Sequence, residues 1–276
     1  MRKGCRLSVF QCFGEERYQM LKQYGFDCAD IAIDGELGDS SEEKYCQMIL
    51  HEKKLADEAK VTIWQVHGPW KYPPHDETED VRRERLKLMK RSIRCTAMIG
   101  CKYWVIHPLM PYGPDDEFDS DQFWNINLNF FRDLLSYAKQ YDVTICFENM
   151  PMKGLSISSP EQTLRFVRLI NDEHFAMCFD TGHAALFDHS FVDFLREGKD
   201  KIKVLHIHDN HGMNDEHLIP YMGVIDWKEF VLALKEIEFD GVFSMEAKLK
   251  DFLPSAPLDT KLKAYQCILD DLIAMK

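Results

Sequence analysis

Four apolar runs each close on a group that can bind a cation or move a proton. VTICFE ends in Glu148, FAMCFD in Asp180, KVLHIH in His206 and His208, and GVFSME in Glu246. Two earlier runs, VTIWQVH and KYWVIH, end in His67 and His107. Alternate residues of a strand share a face. Thr144, Cys146 and Glu148 therefore face away from Val143, Ile145 and Phe147. The same split separates Ala176, Cys178 and Asp180 from Phe175, Met177 and Phe179, and Val242, Ser244 and Glu246 from Phe243 and Met245. One face is bulky and apolar; the other is small and ends in a carboxylate. In KVLHIH, His206 points inward near the strand's end and His208 sits at the rim. Converging carboxylates repel and raise one another's pKa unless a cation lies between them. Mixed with imidazole they suit a divalent metal, and Mn²⁺, Co²⁺, Zn²⁺ and Mg²⁺ all remain open.

Those groups meet only if the strands lie side by side and point the same way. The sequence predicts strands at 5–10, 27–33, 61–67, 102–107, 143–148, 175–180, 203–208 and 241–246. Helical patterns fall between them, at 15–24, 42–59, 79–99, 121–140, 160–171, 190–197, 227–237 and 258–275, with apolar residues three and four apart. Pro160 and Asp226 stand where helices should begin, and Gly241 directly precedes a strand. Strands alternating with helices throughout, without a flexible linker, match an α/β fold of one domain spanning 1–276, a closed (β/α)₈ barrel. A doubly wound sheet is the competitor, but QCFGEE after the first strand is not a glycine-rich phosphate turn. No nucleotide cofactor is expected. The long excursions 108–120 and 209–226 both follow strands, on the face where barrel enzymes build their sites.

Composition narrows the partners. Thirty-four basic against 46 acidic residues give a net charge of −12, which disfavours a nucleic-acid protein. The densest basic stretch, RRERLKLMKRSIR (82–94), reads as an amphipathic outer helix. The stretch MRKGCRLSVF lacks the apolar core expected of a signal peptide, and no apolar run approaches the ~18 residues that span a bilayer. Nine cysteines without a CxxC pair, several inside apolar runs, fit reduced thiols and a cytoplasmic location.

A single strand-terminal carboxylate is more often a helix cap than a ligand, and His67 or His107 alone is more often an ordinary rim histidine. The concurrence of Glu148, Asp180, His206 and Glu246 on four inferred strands favours a site.

The ordered motifs FENMP (147–151), FDTGHAAL (179–186), HIHDN (206–210), DEHLIPYMGVIDW (215–227) and FSMEAK (243–248) carry a resemblance over most of the chain. It is to the xylose-isomerase-like barrels, which include sugar isomerases, ketose 3-epimerases, hydroxypyruvate isomerase and endonuclease IV. The resemblance implies one metal held by Glu148, Asp180, His206 and Glu246, with His183 contacting substrate. It implies a carbohydrate isomerase or epimerase acting on a sugar or sugar phosphate. The metal would stabilise an enediolate while Glu148 and Glu246 exchange the proton from opposite sides.

The endonuclease IV branch, a three-zinc phosphodiesterase acting on abasic DNA, finds counterparts in His67, His107, His183, Asp215 and His217. A barrel that binds sugar without turnover is a third reading. The loop DNHGMNDEH lacks the arginine common in ketose 3-epimerases, which leaves the particular sugar open. Trp70, Lys71 and Lys248 are candidate substrate contacts, and His208 a candidate for substrate or a second metal. Dimers and tetramers are common in similar proteins, which leaves a homo-oligomer open; the sequence itself does not set the oligomeric state.

Overall fold

The computed structural model describes residues 1–33, 42–70, 76–112, 116–187 and 191–276. Its strands are β1 (Arg2–Arg6), β2 (Cys28–Ala32), β3 (Thr62–His67), β4 (Tyr103–Ile106), β5 (Thr144–Glu148), β6 (Phe175–Asp180), β7 (Ile202–His206) and β8 (Val242–Met245). The helices are α1 (Arg17–Gln23), α2 (Glu42–Glu58), α3 (Glu79–Met98), α4 (Ser120–Gln140), α5 (Pro160–Ile170), α6 (Thr181–Ala185), α7 (Val192–Gly198), α8 (Trp227–Glu236) and α9 (Leu258–Ala274). All strand pairs are parallel, in the order β7-β6-β5-β4-β3-β2-β1-β8. The ring closes where the Ile207 amide donates to the Ser244 carbonyl (2.8 Å) and the Glu246 amide to the Ile207 carbonyl (2.9 Å). The result is a single-domain (β/α)₈ barrel. No described helix is long and apolar enough to cross a membrane.

The two-faced strands explain the closure. Val143, Ile145, Phe147, Phe175, Met177, Phe179, Phe243 and Met245 all join the large core beneath the helices. Val105, Cys146, Ala176, Cys178 and Val204 form a separate small cluster inside the barrel. Small residues there leave the strand ends free to carry polar groups. Local chemistry starts the helices at the expected places. Ser159 and Gln162 make a capping box with Pro160 in the first turn of α5, and the Asp226 side chain accepts from the Glu229 amide ahead of α8.

Three elements depart from the sequence reading. The first strand is Arg2–Arg6, and Leu7–Glu16 is a 3₁₀ segment broken at Gly14, where φ is 57°. Leu7, Phe10 and Phe13 recur every three residues, and that spacing aligns side chains on a 3₁₀ turn. Between β2 and β3 the register steps from Ala29↔Ile63 to Asp30↔Gln65, leaving Trp64 as an extra residue. This bulge turns both Gln65 and His67 into the barrel. The short helix α6 follows β6 directly, started by the Asp180 carboxylate, which accepts from the His183 amide at 2.7 Å.

Candidate metal centre

Glu148, Asp180, His206 and Glu246 converge at the C-terminal mouth, each offering a ligand atom within 4.8 Å of the others. His206 stands between the two glutamates, its Nδ1 2.7 Å from Glu148 Oε1 and 2.8 Å from Glu246 Oε2. Asp180 is slightly further, with Oδ2 3.9 Å from the same nitrogen. Asp180 is fully buried and Glu148 and His206 nearly so. Burial pushes the Glu148 and Glu246 carboxyls up. His206 outweighs it at both, helped by His107 at Glu148 and Arg6 at Glu246, and holds them well below the ordinary carboxylate range. Burial lowers His206, but Cys178 and the flanking Glu246 and Glu148 raise it well above an ordinary imidazole. Three carboxylates packed around one imidazole fit a divalent cation: the donors are hard oxygens and one nitrogen, closely spaced and buried.

Besides Glu148–Cys178–His206, which overlaps this centre, two further groups adjoin it among the described residues, His67–His107–Glu148 and His183–His208–Asp215–His217. In the first, His67 Nδ1 donates to the Gly68 carbonyl at 2.9 Å, leaving Nε2 aimed inward 3.2 Å from His107 Nε2. Burial lowers the His107 pKa to about 4 despite Glu148. In the second, His183 Nδ1 lies 2.8 Å from the Asn149 carbonyl and its Nε2 3.5 Å from Asp215 Oδ2. Burial opposes protonation there, yet Asp180 and Asp215 raise the His183 pKa to about 10. His217 stacks on His208 with centroids 4.0 Å apart, and its Nε2 lies 3.1 Å from Asp215 Oδ2. His217 takes a left-handed backbone, φ 53°, to do so.

The loop carrying Asp215 and His217 is fastened from below. The buried Asp209 carboxylate accepts from the amides of Asn210, Gly223 and Ile225 and from the Trp227 indole. Asn149 clamps β6 by a reciprocal pair with the Asp180 backbone, at 3.0 and 2.9 Å.

His208 is not at the rim. It is fully buried, with Nε2 3.0 Å from Asp180 Oδ2, because Gly182 has no side chain and the ring fills that space. Trp70 packs edge-on against His107, centroids 5.1 Å apart. Lys248 follows Glu246 with an exposed side chain, its amide donating to the His217 carbonyl at 2.8 Å. Lys71 lies outside the described residues.

Sequence reasoning missed Arg6, Asp30 and Gln65, which line the same mouth. Arg6 is ion-paired with Glu246, and Ser244 donates to Asp30. Ending the first strand at residue 10 instead of Arg6 hid the first. A charged residue inside the buried strand DCADIAI was itself a signal for the second.

A family model described as "Xylose isomerase-like TIM barrel" matches residues 18–265. An uncharacterized protein of Methanocaldococcus jannaschii is 29% identical over 94% of this chain and 86% of its own length. A D-psicose 3-epimerase of Enterocloster bolteae is 24% identical over 51% of this chain and 44% of its own. A probable endonuclease 4 of Mycoplasmopsis agalactiae is 26% identical over 64% and 66%. Among solved structures, a D-tagatose 3-epimerase-like protein superposes with a TM-score of 0.76 at 25% identity, covering 99% of this chain and 100% of its own. The IOLI protein with a bound zinc atom gives 0.78 at 17%, covering 99% and 98%, a likeness of fold alone. By these matches and by its barrel, the chain belongs to the xylose isomerase-like TIM barrel family.

Proposed function

We propose that the protein is a divalent-metal-dependent carbohydrate isomerase or epimerase that transfers a proton next to a carbonyl. The observation that carries this reading is the placement of Glu148 and Glu246 on either side of His206, at 2.7 and 2.8 Å. Sugar epimerases and isomerases among the relatives and structural neighbours support it. Glu148, Asp180, His206 and Glu246 would hold the cation. Once bound, a divalent ion there polarises a carbonyl and acidifies the neighbouring C–H.

Glu148 and Glu246 are ionised at neutral pH and so competent as bases. They approach the space between them from β5 and β8, so one can take a proton from one face and the other return it to the opposite face. Trp70, against His107, narrows the mouth and helps exclude water. His183, held by the Asn149 carbonyl at Nδ1 and facing Asp215 at Nε2, would contact the substrate beside that pair.

A second reading is phosphodiester hydrolysis, favoured by the two further groups that flank Glu148 and Asp180 and by the endonuclease 4 relative. Metal quantification paired with two assays separates them. One divalent ion per chain with ketose–aldose or epimer turnover supports the isomerase. Three ions with nicking of abasic DNA overturns it.

A further inference from the structure

Arg6, Asp30 and Gln65 are consecutive partners in the register of β1, β2 and β3. They form a polar row across the barrel wall, beside the ligand group but outside it. Gln65 is 1% exposed and Asp30 7%. Neither polar atom of the Gln65 amide has a hydrogen-bond partner, and neither does Asp30 Oδ1. Leaving such groups unpaired costs free energy that native interiors rarely tolerate, so an unpaired amide aimed into a cavity marks a place for a polar occupant.

The cavity is there. A space of about 20 Å³ is lined by Arg6, Asp30, Gln65, His67, His206 and Glu246. That is room for one water-sized group. It shares Arg6, Asp30, Ile31 and Ala32 with a larger cavity of about 520 Å³ that runs under the 3₁₀ segment towards Ser8, Gln11 and Ile49. Ala32, one of the shared lining residues, is paired with His67 in the register above Asp30 and Gln65.

We infer that this row is a subsite for a hydroxyl of the substrate, on a carbon beyond the reacting pair, with the rest of the substrate extending into the larger cavity. The chemistry of the row carries the assignment. The amide of Gln65 donates and accepts, Asp30 Oδ1 accepts, and Arg6 retains N–H donors beyond the one given to Glu246. A hydroxyl also donates and accepts, so it satisfies the row where an anion or an alkyl group would leave part of it unpaired. The substrate class is therefore a polyhydroxylated chain of pentose or hexose size, larger than a three-carbon keto acid. This rests on the proposed function for its reacting carbons, but the subsite itself does not.

The test uses Gln65→Met, which keeps length and apolar volume and removes both polar atoms. The metal-loaded protein is assayed on the ketohexose it turns over fastest and on its deoxy analogues. We expect KM for the parent sugar to rise about tenfold with kcat little changed, and one deoxy analogue to be insensitive to the substitution. Wild-type KM on every sugar, or an equal loss of kcat on all of them, overturns the subsite. Binding of an unreactive hexitol, followed by saturation-transfer NMR, separates this from the catalytic reading. Hexitol binding weakened about tenfold by Gln65→Met upholds the subsite even where no sugar is turned over. Hexitol binding that is absent or unchanged by the substitution overturns it.

Discussion

His107 Nε2 lies 2.9 Å from Glu148 Oε2, the oxygen opposite the one that faces His206. One buried carboxylate therefore borders two candidate metal groups. Removing the imidazole on each side should have different effects. His206→Ala should abolish tight divalent binding at the centre. On the one-ion reading, His107→Ala should leave the count at one per chain, with the central ion in place. Elemental analysis after dialysis reads both; a count lowered by one in His107→Ala would put a further ion at that pair and favour the hydrolytic reading.

Glu148→Gln and Glu246→Gln should each lower kcat by roughly 10²- to 10⁴-fold, the range for loss of a positioned base. Gln keeps the shape of Glu at both positions, so the circular dichroism spectrum should stay that of the folded barrel. Wild-type turnover in either variant sinks the proton-transfer assignment.

Metal affinity should rise with pH. Burial lowers His206, but Cys178, Glu246 and Glu148 raise it above its ordinary value, so the metal-free protein carries a proton there at neutral pH. A cation needs the lone pair and must expel that proton. His107, lowered to about 4 by burial, is already neutral and releases none. Calorimetry at pH 7 in buffers of different ionisation enthalpy should detect about one proton released per central ion, with affinity gaining roughly tenfold per pH unit. Zero release would contradict the assignment of His206 as ligand.

Asp209→Ala should destabilise the protein by roughly 2–4 kcal/mol, because it strands the buried Ile225 amide and Trp227 indole and the half-buried Gly223 amide. The loop carrying Asp215 and His217 should loosen with it. Chemical denaturation gives the first quantity and the rate of limited proteolysis in 209–226 the second. Unchanged stability would mean that water replaces the carboxylate.

Gly182→Ala places a Cβ about 2.0 Å from the His208 ring, too close without movement. Overpacking of this kind costs about 1–3 kcal/mol. The expected result is a lower melting temperature and a displaced His208 signal in the imidazole NMR spectrum, with the barrel retained.

Much of this site was legible as sequence. Alternation in VTICFE, FAMCFD and GVFSME fixes which side chains share a face, because a strand has no other period. The carboxylate at each strand's end then follows from chain order alone, and the barrel that gathers them follows from regular strand–helix alternation. Residues whose orientation depended on a neighbour's register were out of reach. Gln65 and His67 turn inward only because Trp64 bulges out of the β2–β3 pairing. Arg6 reaches Glu246 only because β1 stops there and the chain coils into a 3₁₀ segment. His208 is buried beside Asp180 and not at the rim, since Gly182, from another segment, leaves the ring its space. By itself the sequence determined the fold class, the inward carboxylates and the imidazole that joins them, all set by local periodicity. Only the tertiary structure decided that three ligand groups adjoin and that a polar row lies beside them, because those contacts join residues far apart in the chain.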